Sequence, residues 1–303
     1  MSKSQNLLAL LFASTSLIAC ADDTKQPDLL ALPGQAYFPE SLNAGDDGTL
    51  YVGSLATGQV VAFDDGSTSP RTVIAAGANG VTGVTGVLAT DDALWLCSVD
   101  TTFQRPTEVK SFTLAGEPMA TFPLAQNYFC NDLAFDKQGN LYATDSFSGT
   151  VQRLKAGGAA FETYVQDARL APAAQGAFGL DGIVISDDAI YVNKLDSSQL
   201  FKIGLGEDKA VTEIAVTPPL AGPDGMRALD AHTLLVIDGS ANRLSKVEIH
   251  GTTATSTPLS SDLDQPTAVA ISRGSAWVSE GQLGRLFTGQ TPNLPFGVTR
   301  VAL

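Results

Sequence analysis

The sequence predicts an all-β protein, a six-bladed β-propeller, from three observations. A short apolar triplet recurs at Leu50-Tyr51-Val52, Leu94-Trp95-Leu96, Leu141-Tyr142-Ala143, Ile190-Tyr191-Val192, Leu234-Leu235-Val236 and Ala276-Trp277-Val278, in steps of 44, 47, 49, 44 and 42 residues. Steps of this size are the length of a propeller blade of several strands. Each triplet follows an apolar segment and a turn, as in Asp132-Leu133-Ala134-Phe135 and then Asp136-Lys137-Gln138-Gly139. Aspartate and glycine there supply turn conformations that β-branched residues resist. Finally, no segment sustains a helical period.

Within a repeat the apolar segment is the first strand and the triplet lies in the second. A third strand follows a glycine-containing hairpin, as at Gly58 to Phe63 and Gly149 to Leu154, and a more polar fourth ends the repeat, as at Phe161 to Val165. Closure requires the chain ends to meet. Gly297 to Leu303 reads as a strand completing the last repeat, and Asp28 to Leu32 as one added from the N-terminal side; both remain open.

Composition narrows the function. With 303 residues, 44% hydrophobic and 17% charged, the chain can bury a large core and is not disordered. Eighteen Lys and Arg against 32 Asp and Glu leave a net charge of −14, so no basic surface exists for nucleic acid. Two histidines, His232 and His250, leave little for histidine zinc sites or a Ser/His/Asp triad, and both read as loop residues. Carboxylates and amides must carry any chemistry.

Residues 1–19, with Lys3, an apolar stretch from Leu7 through Ile18 and the small Ala19, read as a secretory signal peptide. The junction Leu17-Ile18-Ala19-Cys20 resembles the lipobox of bacterial lipoproteins, which implies lipidation at Cys20. Ala21 after that cysteine implies the periplasmic face of the outer membrane. The expected organisation is a signal at 1–19, a lipidated tether at 20–34 and the propeller at 35–303. The membrane is engaged through the lipid alone, and the protein is expected to be a monomer. The remaining cysteines, Cys97 and Cys130, are expected to form a disulfide in an oxidising compartment.

The residue opening each first strand is informative. In order these are Glu40, Thr85, Asn131, Asp181, Asp224 and Thr267. The first strand of a blade is innermost, so these side chains are expected to ring the central channel. Glu40, Asn131, Asp181 and Asp224 offer three carboxylates and an amide oxygen, donors suited to a hard cation such as calcium. Three carboxylates in a narrow channel repel one another unless a cation or a proton compensates.

The repeat plan with Pro39-Glu40, Asn131-Asp132, Asp181-Gly182 and Pro223-Asp224-Gly225-Met226 resembles the senescence marker protein/gluconolactonase family. The resemblance spans about residues 35–303. It implies a divalent cation, usually calcium, held by Glu40, Asn131, Asp181 and Asp224, and lactonase or organophosphate hydrolase activity on a small molecule. Asp224 would be the catalytic residue, as general base or nucleophile, with Asn131 and Asp181 also meeting substrate. Asp181 stands where that family usually has asparagine, so a tighter but less Lewis-acidic cation is expected. The rival expectation is a non-catalytic propeller that binds a ligand or a protein in the periplasm.

Other features read as structure. Gly77, Gly80, Gly83 and Gly86 lack the Gly-Lys-Ser/Thr of a phosphate cradle. Asp145 and Asp238 read as turn anchors, and Trp95 and Trp277 as core aromatics. Phe38, Tyr128 and Phe178 precede ring positions and are candidates for an apolar pocket.

Overall fold

A computed structural model describes residues 28–303. Residues 1–19, read above as a signal peptide, and Cys20 lie outside the described residues. Among those residues, twenty-four strands form four four-stranded sheets and one eight-stranded sheet, with one short α-helix. The first four-stranded sheet shows the plan: β2 (Pro39–Ala44), β3 (Leu50–Ser54), β4 (Val60–Phe63) and β5 (Arg71–Ile74) pair antiparallel in chain order. The second contains β6 (Gly83–Ala89), β7 (Ala93–Val99), β8 (Glu108–Thr113) and β9 (Pro118–Pro123), and the third β10 (Cys130–Phe135), β11 (Leu141–Asp145), β12 (Thr150–Leu154) and β13 (Glu162–Gln166).

The eight-stranded sheet is two such meanders. One runs through β14 (Leu180–Ser186), β15 (Ala189–Lys194), β16 (Gln199–Gly204) and β17 (Val211–Thr217). The other runs through β18 (Pro223–Ala228), β19 (Thr233–Asp238), β20 (Arg243–His250) and β21 (Thr253–Pro258). Their outermost strands, β17 and β21, pair in parallel over Ala215–Thr217 and Thr253–Thr255.

The last sheet has the order β1-β24-β23-β22, with β22 (Pro266–Ser272), β23 (Ser275–Glu280), β24 (Gly297–Ala302) and β1 (Leu29–Ala31). Both closing segments are therefore used. β24 completes the meander, and β1 adds antiparallel outside it. The boundary expected at residue 35 is corrected by this pairing: Leu30 and Leu32 are buried in the same core as Phe38 and Phe296, so the stretch from Asp28 belongs to the folded unit rather than to a tether.

All six triplets lie in second strands, which are buried almost throughout because a sheet packs on each face. Outermost strands such as β9 and β13 are largely exposed, matching their polar sequences. The first strands β2, β6, β10, β14, β18 and β22 each contact the next, and β22 contacts β2, closing a ring. Every one of them carries a register irregularity against its second strand at the position singled out in the sequence. A bulge there bends the strand and re-aims a side chain.

Glycine follows two of the ring aspartates for a steric reason. A Cβ at Gly182 would lie 2.8 Å from the Asp224 carbonyl oxygen, and one at Gly225 2.8 Å from that of Thr267. The chain thus lets neighbouring first strands approach closely where the carboxylates must converge. Cys97 on β7 and Cys130 on β10 are bonded, with Cα atoms 5.4 Å apart, and tie the second and third sheets beside Asn131.

Candidate active site at the ring of first strands

Glu40, Thr85, Asn131, Asp181 and Asp224 come from five first strands and line the floor of one cleft, of about 580 Å³ of empty space. Thr267 sits just beneath them. The two threonines are turned to neighbouring backbone: the Thr85 hydroxyl donates to the Cys130 carbonyl at 2.8 Å, and that of Thr267 to the Pro39 carbonyl at 3.1 Å. Glu40, Asn131 and Asp181 are buried, while Asp224 is half-buried and the most open of the three acids.

The polar contacts at the floor are specific. Asn131 Nδ2 donates to Asp181 Oδ2 at 3.0 Å and to Ser146 Oγ at 3.3 Å. Ser146 Oγ in turn donates to the Leu180 carbonyl at 2.6 Å, fixing the entry to β14. The Gly225 N–H donates to Asp224 Oδ1 at 2.8 Å. Asp181 and Asp224 are close enough for each to shift the other's affinity for protons. Glu40 Oε2 is buried and has no partner.

The electrostatics follow from that crowding. Burial, then the Asp224 and Asp181 charges, hold the Glu40 carboxyl well above the usual range. Asp181 is raised by the same causes, burial first and then Asp224. Asp224 is pushed up by burial to about 7, against the opposing hydrogen bonds from Asp181 and Gly225. Burial and crowding thus favour the protonated forms of these acids in the absence of a cation.

Two further charged residues complete the site. From β18, Arg227 reaches across the ring: Nη1 donates to Asp132 Oδ2 on β10 at 2.8 Å, and Nη2 to the Leu42 carbonyl on β2 at 3.3 Å. Both side chains are largely buried, and the pair lies among the residues lining the space beneath the carboxylates. The repeat phase carried the signal for them. One residue beyond the ring position the repeats have Ser41, Gly86, Asp132, Gly182, Gly225 and Ala268, and three beyond it Asn43, Leu88, Ala134, Val184, Arg227 and Ala270. Asp132 and Arg227 are the only charges at those two phases.

As the side chains stand, no three of His, Cys, Asp and Glu converge to hold a metal ion among the described residues. The oxygen donors are gathered, but Asp181 and Asp224 face each other and Asn131 presents its NH2.

The other candidates fall outside the cleft. Asp145 accepts from the Phe129 and Phe147 N–H groups, and Asp238 from Arg243 Nε, as turn anchors do. His232 and His250 are exposed. Gly77 precedes and Gly80 ends a short 3-10 turn, and Gly83 and Gly86 lie in β6. Trp277 is buried in a core, and Trp95 packs between Phe122 and Phe135. Of the three aromatic candidates, Phe178 lines the cleft, Phe38 packs on Phe296, and Tyr128 packs beside the disulfide.

A family model described as "Strictosidine synthase-like, N-terminal" matches residues 22–63. No curated protein matches the sequence. Solved structures share the fold, which is that of a β-propeller. The Malassezia sympodialis allergen Mala s 1 superposes with a TM-score of 0.68 at 12% identity, over 91% of this chain and 96% of that one. A Xanthomonas campestris gluconolactonase gives 0.65 at 14%, over 91% and 89%. The virginiamycin B lyase of Staphylococcus aureus gives 0.61 at 14%, over 83% and 80%.

Proposed function

We propose that this chain is a six-bladed β-propeller hydrolase that opens a lactone or related ester at the ring of first strands, with a divalent cation, calcium, as cofactor. Counting the two meanders of the eight-stranded sheet separately gives the six blades. In this reading residues 1–19 export the chain, and the lipid on Cys20 holds it at the periplasmic face of the outer membrane, as a monomer.

The observation that carries the reading is the buried, unpartnered Glu40 Oε2 in a cleft that Asp181 and Asp224 also line. An orphaned carboxylate oxygen among oxygen donors is a place for a hard cation, so the residues fit one. Glu40, Asn131, Asp181 and Asp224 would hold it. Bound there, the cation would supply Lewis-acid polarisation of the ester carbonyl.

The remaining work falls to side chains. Asp224 is the most open of the three acids and lines the cleft, which places its carboxylate where it can meet water or the carbonyl carbon. As general base it takes a proton from water while the water oxygen bonds to the carbonyl carbon and the ring C–O bond breaks. The proton then passes to the leaving alkoxide, giving the hydroxy acid. As nucleophile it makes that bond itself, and water later cleaves the acyl-enzyme. Asp181, held by Asn131, positions Asp224 in either case.

Two measurements test the reading. Calcium added after chelation should raise the melting temperature saturably, by about 2.7 kcal/mol of stability at a hundredfold excess over Kd. The same calcium should support hydrolysis of a lactone in a panel. Asp224→Ala should remove turnover and blunt the calcium response; turnover that survives it in full defeats the assignment. The raised affinity of Asp181 and Asp224 for protons and the NH2 that Asn131 presents to Asp181 favour a second reading, a metal-free ligand-binding propeller. That reading predicts ligand-induced stabilisation with no calcium response and no hydrolysis.

A further inference from the structure

The walls of the cleft differ in character from its floor. Leu55, Val99 and Phe129 are buried together in a small hydrophobic cluster, with Phe147, Phe178 and Leu283 packed against it, separate from the cores between sheets. These residues sit at or beyond strand ends, and Leu283 belongs to α1 (Leu283–Thr288). Phe129, Phe147 and Phe178 form a triangle of rings with centroids 5.0 to 5.1 Å apart. Phe103 leans on two of them at 6.0 and 6.2 Å.

Packing alone does not account for this cluster. Phe103 and Phe287 line the cleft yet are 57% and 66% exposed, so large apolar surface is kept open to solvent above three acids. An open apolar wall with a few converging polar groups is the form of a small-molecule site. The polar side chains lining the cleft are the ring residues at the floor and Thr101. A hydroxyl-rich ligand would leave its hydroxyls against phenyl and leucyl walls, and each unpaired one costs about 1–3 kcal/mol.

We infer that the substrate carries its carbonyl on an apolar body, an alkyl chain or aryl group seated against Phe103, Phe129 and Phe178, and that polyhydroxylated sugar lactones are excluded. The inference rests on the hydrolase reading for the carbonyl, and on the aromatic wall for the rest. The carbonyl faces the acids and the apolar body extends toward Phe103 and Phe287, the exposed phenylalanines among the lining residues.

The test separates the two. γ-Lactams bearing 5-alkyl groups from methyl to hexyl keep the carbonyl and resist hydrolysis, and their binding to the whole protein is read by calorimetry. Affinity should rise about fourfold per methylene until the wall is covered, equivalent to about 0.8 kcal/mol each. A polyhydroxylated δ-lactam should bind more weakly than the methyl compound. Phe178→Ala should flatten the series, and Phe103→Ser, at a position 57% exposed, should lower only its upper end. An affinity independent of chain length, or tighter binding of the polyhydroxylated lactam, overturns the inference. Lactams that follow the series while no lactone is turned over leave the inference standing and defeat the hydrolase reading. Lactones hydrolysed without regard to chain length do the reverse.

Discussion

Arg227 Nη1 lies 2.8 Å from Asp132 Oδ2, a contact that joins the first strand of one sheet to that of another two places round the ring. It closes the space beneath the acids and leaves one cation among four carboxyl groups, Glu40, Asp132, Asp181 and Asp224. The raised affinity of the three ring acids for protons follows from that imbalance together with burial.

Removing one member of a buried ion pair strands the other. Arg227→Met should therefore cost about 3–5 kcal/mol in urea unfolding. Arg227→Met with Asp132→Asn should recover most of that loss. Equal, additive losses in the two single variants and the double would show that the pair is not coupled.

Stability should depend on pH with a definite sign. Asp224 binds its proton with a value of about 7 in the folded chain, against 3.8 for an ordinary aspartate. Between those values the native state is protonated and the unfolded state is not, so unfolding releases a proton and stability falls as pH rises. The loss is at most about 4 kcal/mol for this group, and Glu40 and Asp181 act in the same direction. In chelating buffer the melting temperature should fall from pH 4 to pH 7.5. Asp224→Asn should flatten the slope, and a rising curve would refute the assignment.

The disulfide pins the strand that carries Asn131. Opening it with reductant, or by Cys97→Ser with Cys130→Ser, should cost about 2–4 kcal/mol in the chain-entropy view. Ligand affinity at the cleft should weaken as well, because Asn131 adjoins Cys130. Unchanged unfolding under reduction would assign the pair no stabilising role.

β1 is a prediction about the chain ends. A chain beginning at Asp28 should melt like the full-length protein, whereas one beginning at Gly34 loses Leu30 and Leu32, both buried. Each buried leucine is worth about 1.5–3 kcal/mol. Equal melting temperatures for the two shortened chains would show that β1 contributes nothing to closure.

Much of this was legible along the chain. The recurring triplets marked every second strand because a strand buried on both faces must be apolar, and burial repeats with the sheets. The repeat phase likewise brought Glu40, Asn131, Asp181 and Asp224 to one place, since equivalent positions of a closed ring face the same axis. What periodicity could not decide was pairing between residues far apart in sequence. That Arg227 meets Asp132, that Asn131 is bonded to Asp181, and that β1 and β24 share one sheet all depend on distances set when the ring closes. The aromatic wall is of the same kind: its members come from irregular segments with no common period, and only the packed fold shows that they face one cleft.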